Sequence, residues 1–173
     1  LTRSDKSIKK GEIPDDAEPF AIIMLSDNIR RDAVKTIEWF KKNEVNVKVI
    51  SGDNPVTVSE VAKRAGVEGA DKYVSLEGMS EADVIACATK YNVFGRVTPE
   101  QKAILVKALK HAGHTVAMTG DGVNDILAMK EAHCSVTVAS GSDATKNIAH
   151  IVLMDNNFNS MPHVVAEGRR VIN

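Results

Sequence analysis

From Phe20 onward, short apolar runs alternate with stretches of helical periodicity, and this alternation restricts the chain more than any other property. FAIIML (20–25) is followed by AVKTIEWFKK (33–42), VNVKVI (45–50) by PVTVSEVAKRA (55–65). The pattern continues with short strand patterns at 73–75, 92–96, 114–118, 136–139 and 151–154. Between and after them lie helical patterns at 81–90, 99–111, 123–132, 142–148 and 161–172. Strand, helix, strand in this order predicts βαβ units and a Rossmann-like α/β domain, one parallel sheet flanked by helices. Residues 1–19 contain Gly11, Pro14 and Pro19 with no apolar period and read as an irregular tail, so the expected body is 20–173.

Composition narrows the function by exclusion. At 173 residues the chain suits one core rather than two. Its 22 Lys and Arg against 23 Asp and Glu give a net charge of −1, which supplies no basic field for nucleic acid. Cys87 and Cys134 form no CxxC pair and read as reduced thiols. No run reaches the ~18 apolar residues of a membrane helix. LTRSDKSIKK at the start has no apolar stretch behind it and is not read as a signal peptide.

In a parallel α/β sheet, ligands collect beyond the carboxyl ends of the strands. The polar residues there are Asp27, Ser51-Gly52-Asp53, Arg96 to Pro99, Thr119 to Gly122, and Ser140 to Asp143. The densest group is MTGDGVND (118–125), where two glycines flank Asp121 and Asp125 follows four positions later. A lone Asp-Gly is ordinarily a turn. With Asn124 opening a helix, Asp121 and Asp125 converge as hard oxygen ligands suited to Mg²⁺. Ser51 offers a hydroxyl beside Gly52, while Asp53 suits either a ligand role or the cap of the helix after it. In RVTPEQK, Thr98 and Pro99 mark a helix start and put Lys102 in its first turn, against the helix dipole. A hydroxyl, a lysine and paired carboxylates in this order suit phosphoryl chemistry.

On these residues the chain resembles the haloacid dehalogenase superfamily, and within it the phosphorylation domain of P-type cation-transporting ATPases. Ser51-Gly52-Asp53 is similar to the family's (T/S)GD, Thr98 to Lys102 to its TPxxK, and Thr119 to Asp125 to its TGDGVND. SDNIR (26–30) resembles the DPxR element, with Asn28 in place of the proline. The resemblance implies an aspartate that takes the γ-phosphoryl of ATP with Mg²⁺, the aspartyl-phosphate then being hydrolysed. It implies that Ser51, Gly52 and Lys102 contact the phosphoryl group, that Asp121 binds Mg²⁺ with Asp125 supporting the metal, and that Asn124 touches phosphate. Asp53 would lie near the nucleotide, and Asp27 and Arg30 would stabilise a neighbouring loop.

The family's nucleophile sits in DKTGT, and no such motif occurs in the chain. Ser4-Asp5-Lys6-Ser7 lacks the Thr-Gly-Thr and follows no apolar strand. The expectation is therefore the second part of a phosphorylation domain, without the nucleophile strand and inactive alone. Its implied partners are ATP, a transported cation with calcium as one candidate, and nucleotide-binding, actuator and transmembrane domains of a multi-pass cell-membrane protein. This domain would then lie on the cytoplasmic side. Two other readings stay open. One is a self-contained phosphatase with Asp27 as nucleophile, although Ile29 stands where its general acid belongs. The other is a noncatalytic module that binds Mg²⁺ or a nucleotide. After the TGDGVND element the family commonly has Ala-Asp-x-Gly, where this chain has Ala132-His133-Cys134-Ser135; without further soft ligands nearby these are not read as a metal site.

Overall fold

The computed structural model describes residues 2–6, 13–23 and 29–172. Two short strands, β1 (Thr2–Arg3) and β2 (Glu18–Pro19), pair antiparallel, so the segment expected to be irregular carries a small ladder of its own. From α1 (Arg31–Lys42) the order is β3 (Val49–Ile50), α2 (Pro55–Arg64), β4 (Tyr73–Ser75), α3 (Glu81–Cys87) and β5 (Val93–Gly95). Then come α4 (Pro99–His111), β6 (Ala117–Thr119), a 3₁₀ turn (Val123–Asp125) and α5 (Ile126–Glu131). The chain closes with β7 (Cys134–Val138), α6 (Asp143–Ile148), β8 (Ile151–Leu153), a second 3₁₀ turn (Phe158–Ser160) and α7 (Met161–Ile172).

The strands form two parallel three-stranded sheets, ordered β3-β5-β4 and β6-β7-β8, where the sequence pattern predicts one. β3 and β6 each lie at an edge, and no strand pairs them among the described residues. Two helices nevertheless span both half-sheets. On one face α4 puts Leu105 and Leu109 into the cluster with Phe94 and Leu76, and Val106 into the cluster with Met118 and Met129. On the other, α1 sends Ile37 toward Val58 and Val93 and Phe40 toward Val136 and Leu153. Neighbouring residues Val93 and Phe94 thus serve opposite faces, as the two-residue period of a strand requires.

FAIIML departs from expectation. Residues 20–23 form no strand, and Phe20, Ile22 and Ile23 are 73%, 94% and 65% exposed; residues 24 and 25 lie outside the described residues. A β-prone run becomes a strand only where a neighbour satisfies its backbone and covers a face, and none of the described strands pairs with it.

Glycines let the loops close over the strand ends. A Cβ on Gly95 would stand 2.5 Å from the Pro55 Cα, and one on Gly120 would stand 2.4 Å from the Asp125 Cβ. Neither position tolerates a side chain without movement of its neighbour.

Candidate functional site

Ser51 follows β3 directly, and its position is set from β5 and the loop beyond it. Ser51 N donates to Phe94 O (3.0 Å), and Val97 N donates to Ser51 O (3.1 Å). Arg96 N donates to Asp53 O (2.9 Å), which is met with Arg96 in the left-handed region at φ 52°. Within the loop, Ser51 Oγ donates to Asp53 Oδ2 (3.2 Å) and accepts from Asp53 N (3.1 Å). Asp53 does not cap α2. Asn54 does, its Oδ1 accepting from Val56 N (2.9 Å) ahead of Pro55. That leaves Asp53 exposed at the loop surface.

Lys102 is placed by the start of α4. Thr98 Oγ1 accepts from Gln101 N (3.3 Å) and Gln101 Oε1 accepts from Thr98 N (3.1 Å), a reciprocal cap preceding Pro99 at the first helical position. The T-x-x-Q spacing that signals this cap was present in the sequence. One turn in, Lys102 Nζ meets Asp125 Oδ1 at 2.7 Å, with the two side chains only 13% and 12% exposed. The unfavourable lysine at a helix start is thus stabilised by a carboxylate from the other half-sheet.

Asp125 is fully engaged. Its Oδ1 takes Lys102 and its Oδ2 accepts from Gly122 N (3.3 Å), while the missing Cβ of Gly120 makes room for it. In this arrangement Asp125 holds the lysine and the loop together. Asp121, by contrast, is exposed, and no described residue donates to its carboxylate. Its backbone is held instead, Asp121 O accepting from Ser142 N (2.9 Å) and lying 3.3 Å from Thr145 Oγ1. Ser142 is one of the polar strand-end residues noted in the sequence, while the buried Thr145 is a support that the sequence did not single out. Asn124 lies exposed on the 3₁₀ turn beside these groups. Among the described residues no group of three His, Cys, Asp or Glu side chains is disposed to hold a metal ion.

A groove of about 520 Å³ runs past Ser51 and Asp53 along the edge strand β3, floored by Val47, Val49, Val58 and Ala62. Its far wall contains Arg30, Asp32, Thr36 and Asn157 to Asn159. Arg30 caps no bond at the start of α1; it pairs with Asp32 at 3.4 Å and is 62% exposed. The buried Thr36 hydroxyl bonds both Asp32 O (3.0 Å) and Asn159 Oδ1, which ties α1 to the turn before α7. Asp27 lies outside the described residues. His133, set aside above as a ligand, uses its Nδ1 to accept from Val116 N (3.1 Å).

Ser51, Lys102 and the 121–125 loop are joined by one bonded path that runs from β3 through Val97 and the start of α4 to Asp125. Such a strand-end cluster on a parallel α/β scaffold defines a class. Residues 2–133 match the haloacid dehalogenase-like hydrolase family, and residues 102–165 match a second haloacid dehalogenase-like hydrolase family. The chain belongs to the haloacid dehalogenase-like hydrolases. Over 95% of its length it is 46% identical to a probable cation-transporting ATPase, exp7, of Streptococcus pneumoniae, covering 21% of that protein. It is 44% identical over 99% of its length to the calcium-transporting ATPase CtpE of Mycobacterium tuberculosis, covering 22% of it. The chain therefore spans about a fifth of the relatives it matches. Among solved structures it resembles the catalytic domain of the CPx-ATPase CopB-B, with 27% identity, a TM-score of 0.62, 81% of this chain and 46% of that one. A zinc-transporting PIB-type ATPase in its E2.Pi state matches with 26% identity and the same TM-score over 81% of this chain and 19% of that one.

Proposed function

We propose that the chain is the phosphoryl- and Mg²⁺-handling part of the catalytic domain of an ATP-driven cation pump, whose phosphate-accepting aspartate comes from another segment of the same protein. The observation that carries this reading is the Lys102–Asp125 pair at 2.7 Å, which brings a cation from one half-sheet into the TGDGVND loop of the other. Within this reading Lys102 and Ser51 bind phosphoryl oxygens, with Gly52 leaving the backbone open to them. Asp125 orients Lys102, Asn124 contributes an amide to phosphate, and Asp53 and Arg30 line the approach. Asp121 fits Mg²⁺ as a single uncommitted hard-oxygen ligand, the number that Mg²⁺ commonly takes from a protein when phosphate and water complete its shell. When bound, the ion offsets negative charge on the transferring phosphoryl group.

The accepting strand has a place to go. β3 and β6 are edge strands of their sheets, and one further parallel strand against them would deliver a carboxylate near Ser51 and Asp121. The parent protein is then a multi-pass protein of the cell membrane with this domain on its cytoplasmic side; no helix among the described residues is long and apolar enough to cross a membrane. ATP is the substrate, and the similarity to CtpE favours calcium as the cargo.

Incubation of the 173-residue chain with Mg²⁺ and γ-³²P-labelled ATP tests the division of labour. No acid-stable label is expected, nor any p-nitrophenyl phosphate turnover that Asp27→Asn removes. A label lost on replacing an aspartate within the chain overturns the proposal, and Asp27-dependent turnover favours a self-contained phosphatase.

A further inference from the structure

Four of the five histidines stand near the amino-terminal ends of β6, β7 and β8 or just ahead of them: His111, His114, His133 and His150. Two of these make the same unusual pairing. His133 N donates to Val116 O (2.9 Å) while Val116 N donates to His133 Nδ1 (3.1 Å). His150 N donates to Ser135 O (3.0 Å) while Ser135 N donates to His150 Nδ1 (3.0 Å). Each imidazole takes the place of a carbonyl, accepting the amide just ahead of β6 in one case and the second amide of β7 in the other.

A backbone N–H cannot turn away, so each Nδ1 carries a lone pair and each ring is the neutral form with its proton on Nε2. The Ser135 hydroxyl, 2.8 Å from His150 Nδ1 and 3.3 Å from Ile148 O, is free to rotate and does not decide the tautomer. We infer that His133 and His150 are proton-sensitive clamps on the entry of β6 and β7, closed while the rings are neutral and released when Nδ1 is protonated. Protonation puts two hydrogens on one line at Val116 and at Ser135. Ser135 is fully buried, so no water takes over its amide.

The ionisable groups on the elements packed around the rings are Glu100, Lys102, Lys107, Lys110 and His111 on α4, His114 ahead of β6, Lys130 and Glu131 on α5, Cys134 on β7, and Asp143 and Lys146 on α6. Lys110 Nζ bonds Glu131 O at 2.5 Å, two residues from His133, and adds positive charge on that side. Asp143 and Lys146 pair with one another at 2.8 Å. β6 runs into Asp121, and β7 into the loop whose Ser142 N bonds the Asp121 carbonyl, so acid loosens the half-sheet beneath the 121–125 loop without touching the loop itself.

Amide hydrogen exchange of the whole chain, read by NMR between pH 7.5 and pH 5 and corrected for intrinsic rates, tests this. Protection of Val116 and Ser135 amides is expected to fall at least tenfold with acid, while Phe94 in β5 keeps its protection. In His133→Asn and His150→Asn, whose Oδ1 occupies the place of Nδ1 and cannot be protonated there, the pH dependence is expected to vanish at the clamped amide. If a variant does not fold, ring ¹⁵N shifts of the unmodified chain decide: a protonated Nδ1 at pH 7.5, or protection at Val116 and Ser135 that does not change with pH, overturns the inference.

Discussion

The two half-sheets share a scaffold yet hold their strand-end groups in different ways. At the end of β3, Ser51 and Asp53 bond each other and the neighbouring 95–97 backbone, so the loop is satisfied by its own half. At the end of β6, Asp125 is satisfied by Lys102 from α4, and the Asp121 carbonyl by Ser142 ahead of α6. The first loop is held within its own half-sheet and presents a hydroxyl. The second draws on Lys102 from a helix that spans both halves, and it alone leaves a carboxylate uncommitted. A site assembled in this way is organised only when both halves are docked on α1 and α4.

Glycine substitutions break the comparison most sharply. Gly120→Ala and Gly95→Ala each drive a methyl group to within 2.4–2.5 Å of a neighbour, Asp125 in one half and the Pro55 backbone in the other. Each is expected to destabilise by about 3 kcal/mol in urea unfolding. Gly52→Ala meets nothing nearer than 3.8 Å and is expected to change stability by less than about 0.5 kcal/mol. Equal effects at all three positions would show that the loops are less closely packed than described.

The ion pair that joins the halves comes next. Lys102→Met leaves Asp125, and Asp125→Asn leaves Lys102, as a nearly buried charge without its partner. Each is expected to lose about 2–3 kcal/mol, and the double variant less than the sum by about 1 kcal/mol or more. Additive losses would mean that the two charges do not act on one another.

The smallest effect belongs to Asp155, just ahead of the 157–159 segment that lines the groove. The Ser160 hydroxyl, assisted by Asn157 N and the charge of Arg30, holds the Asp155 carboxyl below the ordinary carboxylate range. Its folded-state value is depressed, so its contribution is complete above the unfolded value and disappears as pH falls through the folded one. Asp155→Asn is expected to flatten the acid limb of the stability curve slightly and leave the neutral plateau nearly unchanged. A large loss at neutral pH would assign Asp155 a structural weight that its exposure does not suggest.

Much of this was legible in the sequence because it is local. Helix α7 occupies 161–172 as the apolar spacing predicts, and Thr98 and Pro99 open α4. What was not legible depends on pairs distant along the chain. The split into two sheets follows from which strands find neighbours; Phe20, Ile22 and Ile23, in a run with a strand pattern, join none of the described strands and stay exposed. The contact of Asp125 with a lysine 23 residues away is not visible in the spacing of the TGDGVND segment. Asp53 and Asn54 are equally good caps on paper, and the direction of the chain after β3 chose Asn54.

The central claim is that Ser51, Lys102 and Asp121 surround one site across the two half-sheets. Paramagnetic relaxation by Mn²⁺, standing in for Mg²⁺, tests it directly in the ¹⁵N-labelled chain. Broadening is expected at the amides of 120–125 and, through the same ion, at 51–53, with both effects abolished by Asp121→Asn and retained in Gly52→Ala. Broadening confined to 120–125, or unchanged in Asp121→Asn, would contradict a shared site.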